Sequence, residues 1–176
     1  MKAKTSHRLG VAPCLLASSL AACSAQPSPA QPSVAVPLAT TFSLEAEAGR
    51  GDGRLVQRSH ASGGQTVHLG PGEHRLWTFD LRVMPTQYAF AVSYSNGKEG
   101  PNEILSVAVD GTPLSTFQDR DSGDAVDGWN EFVTDPAGTM TLGAGSHTLR
   151  LEVSGGDGCV EIDLARLSPV AASTHQ

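Results

Sequence analysis

Between Phe42 and Leu167 the chain alternates apolar and polar residues in short runs, broken at intervals of about ten residues by Gly, Pro, Asn or Asp. This period of two is that of a strand with one buried face, whereas a helix needs a period near 3.6. Tyr88-Ala-Phe-Ala-Val-Ser-Tyr94 places large side chains on one face and small ones on the other. Gln65–Leu69, Leu76–Val83 with Trp77, Phe79, Leu81 and Val83 in phase, and Ile104–Asp110 with Leu105, Val107 and Val109 in phase continue the pattern. Asp110-Gly111 is a hairpin signal ahead of Pro113–Phe117. Thr139–Leu142, His147–Val153 and Val160–Leu167 complete the set, the last with Val160, Ile162 and Leu164 expected inward and Glu161 and Asp163 outward. No helical periodicity runs beyond two turns and no fixed-period repeat is present, so the expected fold is all-β, a sandwich of two antiparallel sheets.

With 176 residues, 39% of them hydrophobic, there is enough chain for one good core. A net charge of −6 and the lack of a basic stripe argue against nucleic acid as a partner. The first 22 residues read as a signal peptide. Lys2, Lys4 and Arg8 precede an apolar stretch, Leu9–Leu20, too short to span a bilayer. Leu20-Ala-Ala-Cys23 resembles the lipobox of bacterial lipoproteins, which implies lipidation of Cys23 and a cell-envelope location, at the outer membrane or the outer face of the plasma membrane. Residues 23–41, rich in Pro, Ala and Ser and without charge, read as an extended tether, 42–168 as the folded domain and 169–176 as a tail. With Cys14 in the signal and Cys23 lipidated, Cys159 stands alone, and no internal disulfide can form. It reads as a half-buried small side chain.

Glu45 and Glu47, in Phe42-Ser-Leu-Glu-Ala-Glu47, would share one face of a first strand while Phe42, Leu44 and Ala46 enter the core. Like charges so placed raise pKa values or recruit a cation. If the first and last strands pair, Asp163 joins them, and an oxygen-only set suits calcium better than zinc or copper. The competing expectation is that these carboxylates are solvated, or paired with Arg58 or Arg166.

The order of several short segments resembles carbohydrate-binding modules of the family 6 and family 35 type, galactose-binding-like jelly rolls. These segments are Glu45-Ala-Glu47, Ala61-Ser-Gly-Gly-Gln-Thr-Val67, Tyr94-Ser-Asn-Gly97, Ser106-Val-Ala-Val-Asp-Gly111, Leu142-Gly-Ala-Gly-Ser-His-Thr-Leu-Arg-Leu151 and Ile162-Asp163. The resemblance implies a jelly-roll β-sandwich and a structural calcium held by Glu45, Glu47 and Asp163, with carbonyls from the loop Val56–Gly64. It further implies a sugar site built from Tyr94, Asn96 and Trp129, with Asp127 and Asn130 nearby. The family often carries Asn before its closing Ile-Asp pair. This chain has Glu161 there, which could tune the site toward an amino sugar. Tyr94 is also in phase with the core residues Phe90 and Val92, and Trp77 reads as core, whereas Trp129 lies between Gly128 and Asn130 in a loop.

Other signals fail. In Asp119–Gly128 an EF-hand would need Gly where Asp124 stands and Glu where Asn130 stands. The histidines have no zinc spacing, and no nucleophile elbow or phosphate loop exists. The expected function is calcium-stabilised, non-catalytic binding of a glycan by a monomeric, lipid-anchored protein. The alternative is an envelope lipoprotein whose sandwich contacts a protein partner or serves structurally, and a small carbohydrate-active enzyme ranks third, since no catalytic carboxylate spacing is recognisable.

Overall fold

The computed structural model describes residues 34–36, 40–83, 85–97, 102–123, 128–156 and 158–171. Cys23 and Asp127 lie outside the described residues. One sheet contains β1 (Val34–Val36), β3 (Arg50–Gly51), β6 (His74–Leu81), β8 (Ile104–Val109), β9 (Thr112–Gln118) and β11 (Gly145–Gly155). Its order is β1-β6-β11-β8-β9, with β3 also on β6. The other contains β2 (Phe42–Glu45), β4 (Arg54–Gln57), β5 (Gln65–Leu69), β7 (Thr86–Ser95), β10 (Val133–Leu142) and β12 (Val160–Pro169). Its order is β10-β7-β12-β5-β4, with β2 also on β12. The two sheets are those of the expected all-β sandwich. Pairing is antiparallel apart from β1, which lies parallel to β6 and falls within the segment read as tether.

The alternation works as expected in β6, β7, β8 and β11. Trp77, Phe79, Leu81, Tyr88, Phe90, Val92, Leu105, Val107, Val109, Leu149, Leu151 and Val153 form one buried core. Asp110 and Gly111 both have positive φ, 51° and 76°, as the tight turn between β8 and β9 requires. Asp110 tolerates that conformation because its carboxylate accepts the Thr148 N–H at 2.7 Å. No helix among the described residues is long and apolar enough to cross a membrane.

Two local expectations are corrected. The first strand ends at Glu45, and Ala46–Ala48 forms a 3-10 turn, so Glu45 and Glu47 do not share a strand face. The reason is a pair of buried donors on β6. Trp77 Nε1–H donates to the Glu45 carbonyl at 2.8 Å, and Arg75 Nε–H to the Ala46 carbonyl at 3.1 Å. These bonds pull the chain out of the ladder.

In β12 a bulge falls between Ile162 and Leu164. Core positions after it are Ala165 and Leu167, and Leu164, though buried, is outside the core cluster. An inserted residue reverses the phase of everything beyond it. The bulge marks a change of neighbour: β12 pairs with β5 through Ile162 and with β2 from Leu164 onward. Asp163 therefore sits where neither partner occupies the position beside it.

Candidate functional site

The loop 58–64 joins β4 to β5 and covers this gap. It is closed on itself by Arg58 N–H to the Gly64 carbonyl (3.0 Å), Ala61 N–H to Arg58 (3.2 Å) and Gly64 N–H to Ala61 (3.0 Å). From it, Ser62 donates its N–H to Asp163 Oδ1 at 2.8 Å and its hydroxyl to Glu45 Oε1 at 3.1 Å. One residue thus bridges the carboxylates of the first and last strands. At the next residue, Gly63, a Cβ would overlap Glu47 Oε1 and lie 3.7 Å from Glu45 Oε2, so a side chain there would displace the Glu47 carboxylate. Glu45, Glu47 and Asp163 are brought together around Ser62 and Gly63.

The electrostatics are those of an undercompensated acidic cluster. Burial pushes the Glu45 carboxyl up, with Glu47 and Asp163 adding to the shift against the Ser62 hydroxyl. Burial likewise raises Asp163, opposed by Ser62 N–H and the Ser93 hydroxyl, which donates at 3.0 Å. Glu45 Oε2 and Glu47 Oε2 are both buried without a hydrogen-bond partner, and such orphaned carboxylate oxygens are costly. Of the two arginines expected as alternative partners, Arg58 is engaged by Glu161, while the Arg166 charge favours the ionised forms of Glu45 and Asp163 and offsets part of the rise. Among the described residues no set of three or more His, Cys, Asp or Glu side chains forms a preformed metal cage. The fit for a hard cation therefore rests on the two orphaned oxygens and on Gly63, against whose main chain both glutamate carboxylates lie.

Gly63→Ala tests that fit. The added methyl displaces the Glu47 carboxylate, so a calcium-induced rise in melting temperature, read by differential scanning fluorimetry, is expected to shrink by at least half. Ser62→Ala, which removes only a hydroxyl, is expected to keep most of it. An unchanged response in Gly63→Ala would place any bound ion elsewhere.

The residues expected to bind sugar separate into two groups. Trp129 is half-buried in the 3-10 turn Gly128–Asn130. Its indole packs on the Cα of Gly97, where a Cβ would stand 3.1 Å from the ring, and lies 5.9 Å from the His68 ring, centroid to centroid. The Ser95 hydroxyl holds the Trp129 carbonyl at 3.1 Å, and the Ser122 hydroxyl holds that of Gly128 at 2.8 Å. A cavity of about 350 Å³, lined by Asp121, Ser122, Gly123 and Glu131, opens beside this turn. Asn130 faces the 58–64 loop. Its Oδ1 accepts the His60 N–H at 3.1 Å, and its Nδ2 donates to Ser59 Oγ at 2.9 Å.

Tyr94, Asn96 and Glu161 are placed inside the protein. Tyr94 is wholly buried, its hydroxyl donating to Asp135 and accepting the Arg120 N–H, and burial together with Asp135 pushes its pKa far up. Asn96, also buried, donates to Glu103 (2.8 Å) and Asp119 (3.2 Å). Burial, with Glu103 alongside, pushes Asp119 up to about 7. Glu161 is 1% exposed and receives a two-pronged contact from Arg58, Nε to Oε2 at 2.7 Å and Nη2 to Oε1 at 2.6 Å. Thr66 adds a third bond at 2.9 Å. Burial opposes the charge on Glu161, but the Arg58 and Thr66 bonds, with His68 Nδ1 3.5 Å away, prevail and hold the carboxyl at about 2. Nothing in this geometry leaves Glu161 an oxygen for a sugar hydroxyl. It anchors the start of the 58–64 loop instead.

Sequence reasoning located the loop but missed what Ser62, Gly63 and Arg58 do in it. It had no signal for the Glu103–Asp119 pair, whose members flank the start of β8 and the end of β9.

No protein-family model matches the sequence, and a search of curated proteins finds no match. Solved structures do match. A family 35 carbohydrate-binding module from Clostridium thermocellum superposes with a TM-score of 0.61 at 19% identity, over 73% of this chain and 98% of that one. An exo-β-1,3-galactanase from Phanerochaete chrysosporium, solved with galactose, gives 0.60 at 23% identity, over 73% of this chain and 29% of the enzyme. The mosquito-larvicidal Cry4Aa toxin from Bacillus thuringiensis gives 0.65 at 15%, over 80% of this chain and 25% of the toxin. The chain thus spans under a third of the galactanase and the toxin and nearly all of the module. With these structures the chain shares its fold, a sandwich of two antiparallel sheets.

Proposed function

We propose that this is a non-catalytic carbohydrate-binding domain, stabilised by calcium and held at the cell envelope through a lipid on Cys23. The observation that carries the glycan reading is Trp129, a half-buried indole in a turn beside an open polar cavity, on a fold shared with a binding module. A flat apolar ring covers the C–H face of a pyranose, while neighbouring polar groups fix its orientation. One ring buries little area and each polar group must shed water, so affinity is weak.

Calcium would be held by Glu45, Glu47 and Asp163 with main-chain oxygens of the 56–64 segment, and would link the end of β2, the loop and β12. The support is the pair of orphaned oxygens and the approach of both glutamate carboxylates to Gly63. The anchor rests on the lipobox-like Leu20-Ala-Ala-Cys23 and the uncharged segment after it.

Affinity electrophoresis through gels containing galactan, followed by a panel of other polysaccharides, tests the glycan reading. Retardation is expected, and Trp129→Ala is expected to weaken it by about tenfold or more, since stacking aromatics dominate small sites. Retardation unaffected by the substitution removes Trp129 from the site, and release of reducing sugar from any of these polymers overturns the non-catalytic reading.

The burial of Tyr94, Asn96 and Glu161 favours a second reading, in which the sandwich contacts a protein or serves structurally. Capture of one defined envelope protein by the wild-type domain after enzymatic removal of glycans, with no retardation in any gel, would support it over the first.

A further inference from the structure

The turn that carries Trp129 is pinned at three points, and they lead to different parts of the molecule. Ser95, on β7, holds the Trp129 carbonyl, and Ser122, after β9, holds that of Gly128. The third is Asn130, whose side chain bonds His60 N–H and Ser59 Oγ and whose carbonyl lies 2.9 Å from His60 Nδ1. Two residues beyond His60 stands Ser62, whose N–H and hydroxyl bind Asp163 and Glu45. Ala61 between them is buried, and the loop's own turn bonds tie Arg58, Ala61 and Gly64 together. The loop therefore has one end on the acidic cluster and its middle on the Trp129 turn.

We propose that Asn130 is a positioning residue through which the 58–64 loop couples cation binding at Glu45, Glu47 and Asp163 to the setting of the Trp129 turn. This rests on the calcium and glycan readings above and adds a linkage between the two sites. Its physical basis is conformational entropy. Ser62 ties the loop to the acidic cluster through two hydrogen bonds, and openings of the loop break both. A divalent ion suppresses those openings, and a loop already ordered no longer has to be ordered when a ligand settles on Trp129. The coupling is reciprocal, so a ligand on Trp129 tightens the ion in turn. Asn130 thus acts on the ligand through Trp129, not by touching it.

Hydrogen exchange read by mass spectrometry on the folded chain, with calcium or with a chelator, tests the proposal without needing the sugar. In wild type, calcium is expected to slow exchange about fivefold or more both in 58–64 and in 128–131, the low end of ordinary coupling. In Asn130→Ala the slowing is expected to persist in 58–64 and to fall by at least half in 128–131, where only the main-chain contact to His60 Nδ1 remains. Asn130→Asp, which keeps an acceptor for the His60 N–H, is expected to restore part of it. Asn130→Ala should retain the calcium-induced rise in melting temperature, which separates lost coupling from a lost fold.

Slowing confined to 58–64 in wild type, with that rise intact, overturns the coupling and leaves the calcium reading standing. Slowing of 128–131 that survives Asn130→Ala undiminished removes the Asn130 side chain from the path. Absence of both the slowing and the rise overturns the calcium reading, and the coupling with it. Galactan retardation, measured separately, decides the glycan reading.

Discussion

Calcium is expected to raise the melting temperature of the metal-free domain by on the order of 10 °C when present at 100-fold above its Kd, because binding to the native state alone would add about 2.7 kcal/mol. The sign follows from the cluster. Without an ion the fold holds two buried, partnerless carboxylate oxygens beside a third acidic group. Glu47→Gln separates the two contributions. It removes a like charge, so the metal-free melting temperature stays at or above that of the parent, while the response to calcium disappears. Differential scanning calorimetry with calcium and with a chelator measures both. Equal melting temperatures in the two conditions, or an intact response in Glu47→Gln, would refute the site.

Breaking the Arg58–Glu161 pair is expected to be the most damaging single change near the site. Arg58→Ala leaves a carboxylate that is 1% exposed without its charge partner, and losses of this kind cost about 3–5 kcal/mol. The pair also sets the acid limit of the fold. Glu161 is held at about 2, below its ordinary 4.5, so the folded state favours the ionised form. That contribution is complete above pH 4.5 and is lost as pH falls toward 2. A shift from 4.5 to about 2 corresponds to about 3 kcal/mol. Urea denaturation across this range should show stability falling steeply in wild type and more gently in Arg58→Ala, where less remains to lose. Parallel acid limbs in the two proteins would show that the pair does not govern the transition.

Much of the architecture was legible from alternation, since a strand with one buried face records that face in every second residue. Tyr88–Tyr94 and Leu105–Val109 could hardly be read otherwise, and Asp110-Gly111 announced its own turn. The three acidic residues were legible as a set through residue type and through the resemblance, though not through the strand geometry first assigned to Glu45 and Glu47.

What the linear pattern could not express was anything decided by a residue distant in the chain. Arg75 and Trp77, some thirty positions away, end the first strand by taking its carbonyls. A bulge at Asp163, where β12 changes neighbours, reverses the phase expected for Leu164. Tyr94 and Asn96 sit in a motif of the expected shape, yet Asp135, Asp119 and Glu103 draw their polar atoms inward. Glu161, read as a determinant of sugar choice, is fixed by Arg58 from across the sheet. Period and composition are local quantities and specify which face of each strand is buried. Hydrogen-bond partners of buried polar groups are set by which strands become neighbours, and that is a property of the folded chain alone.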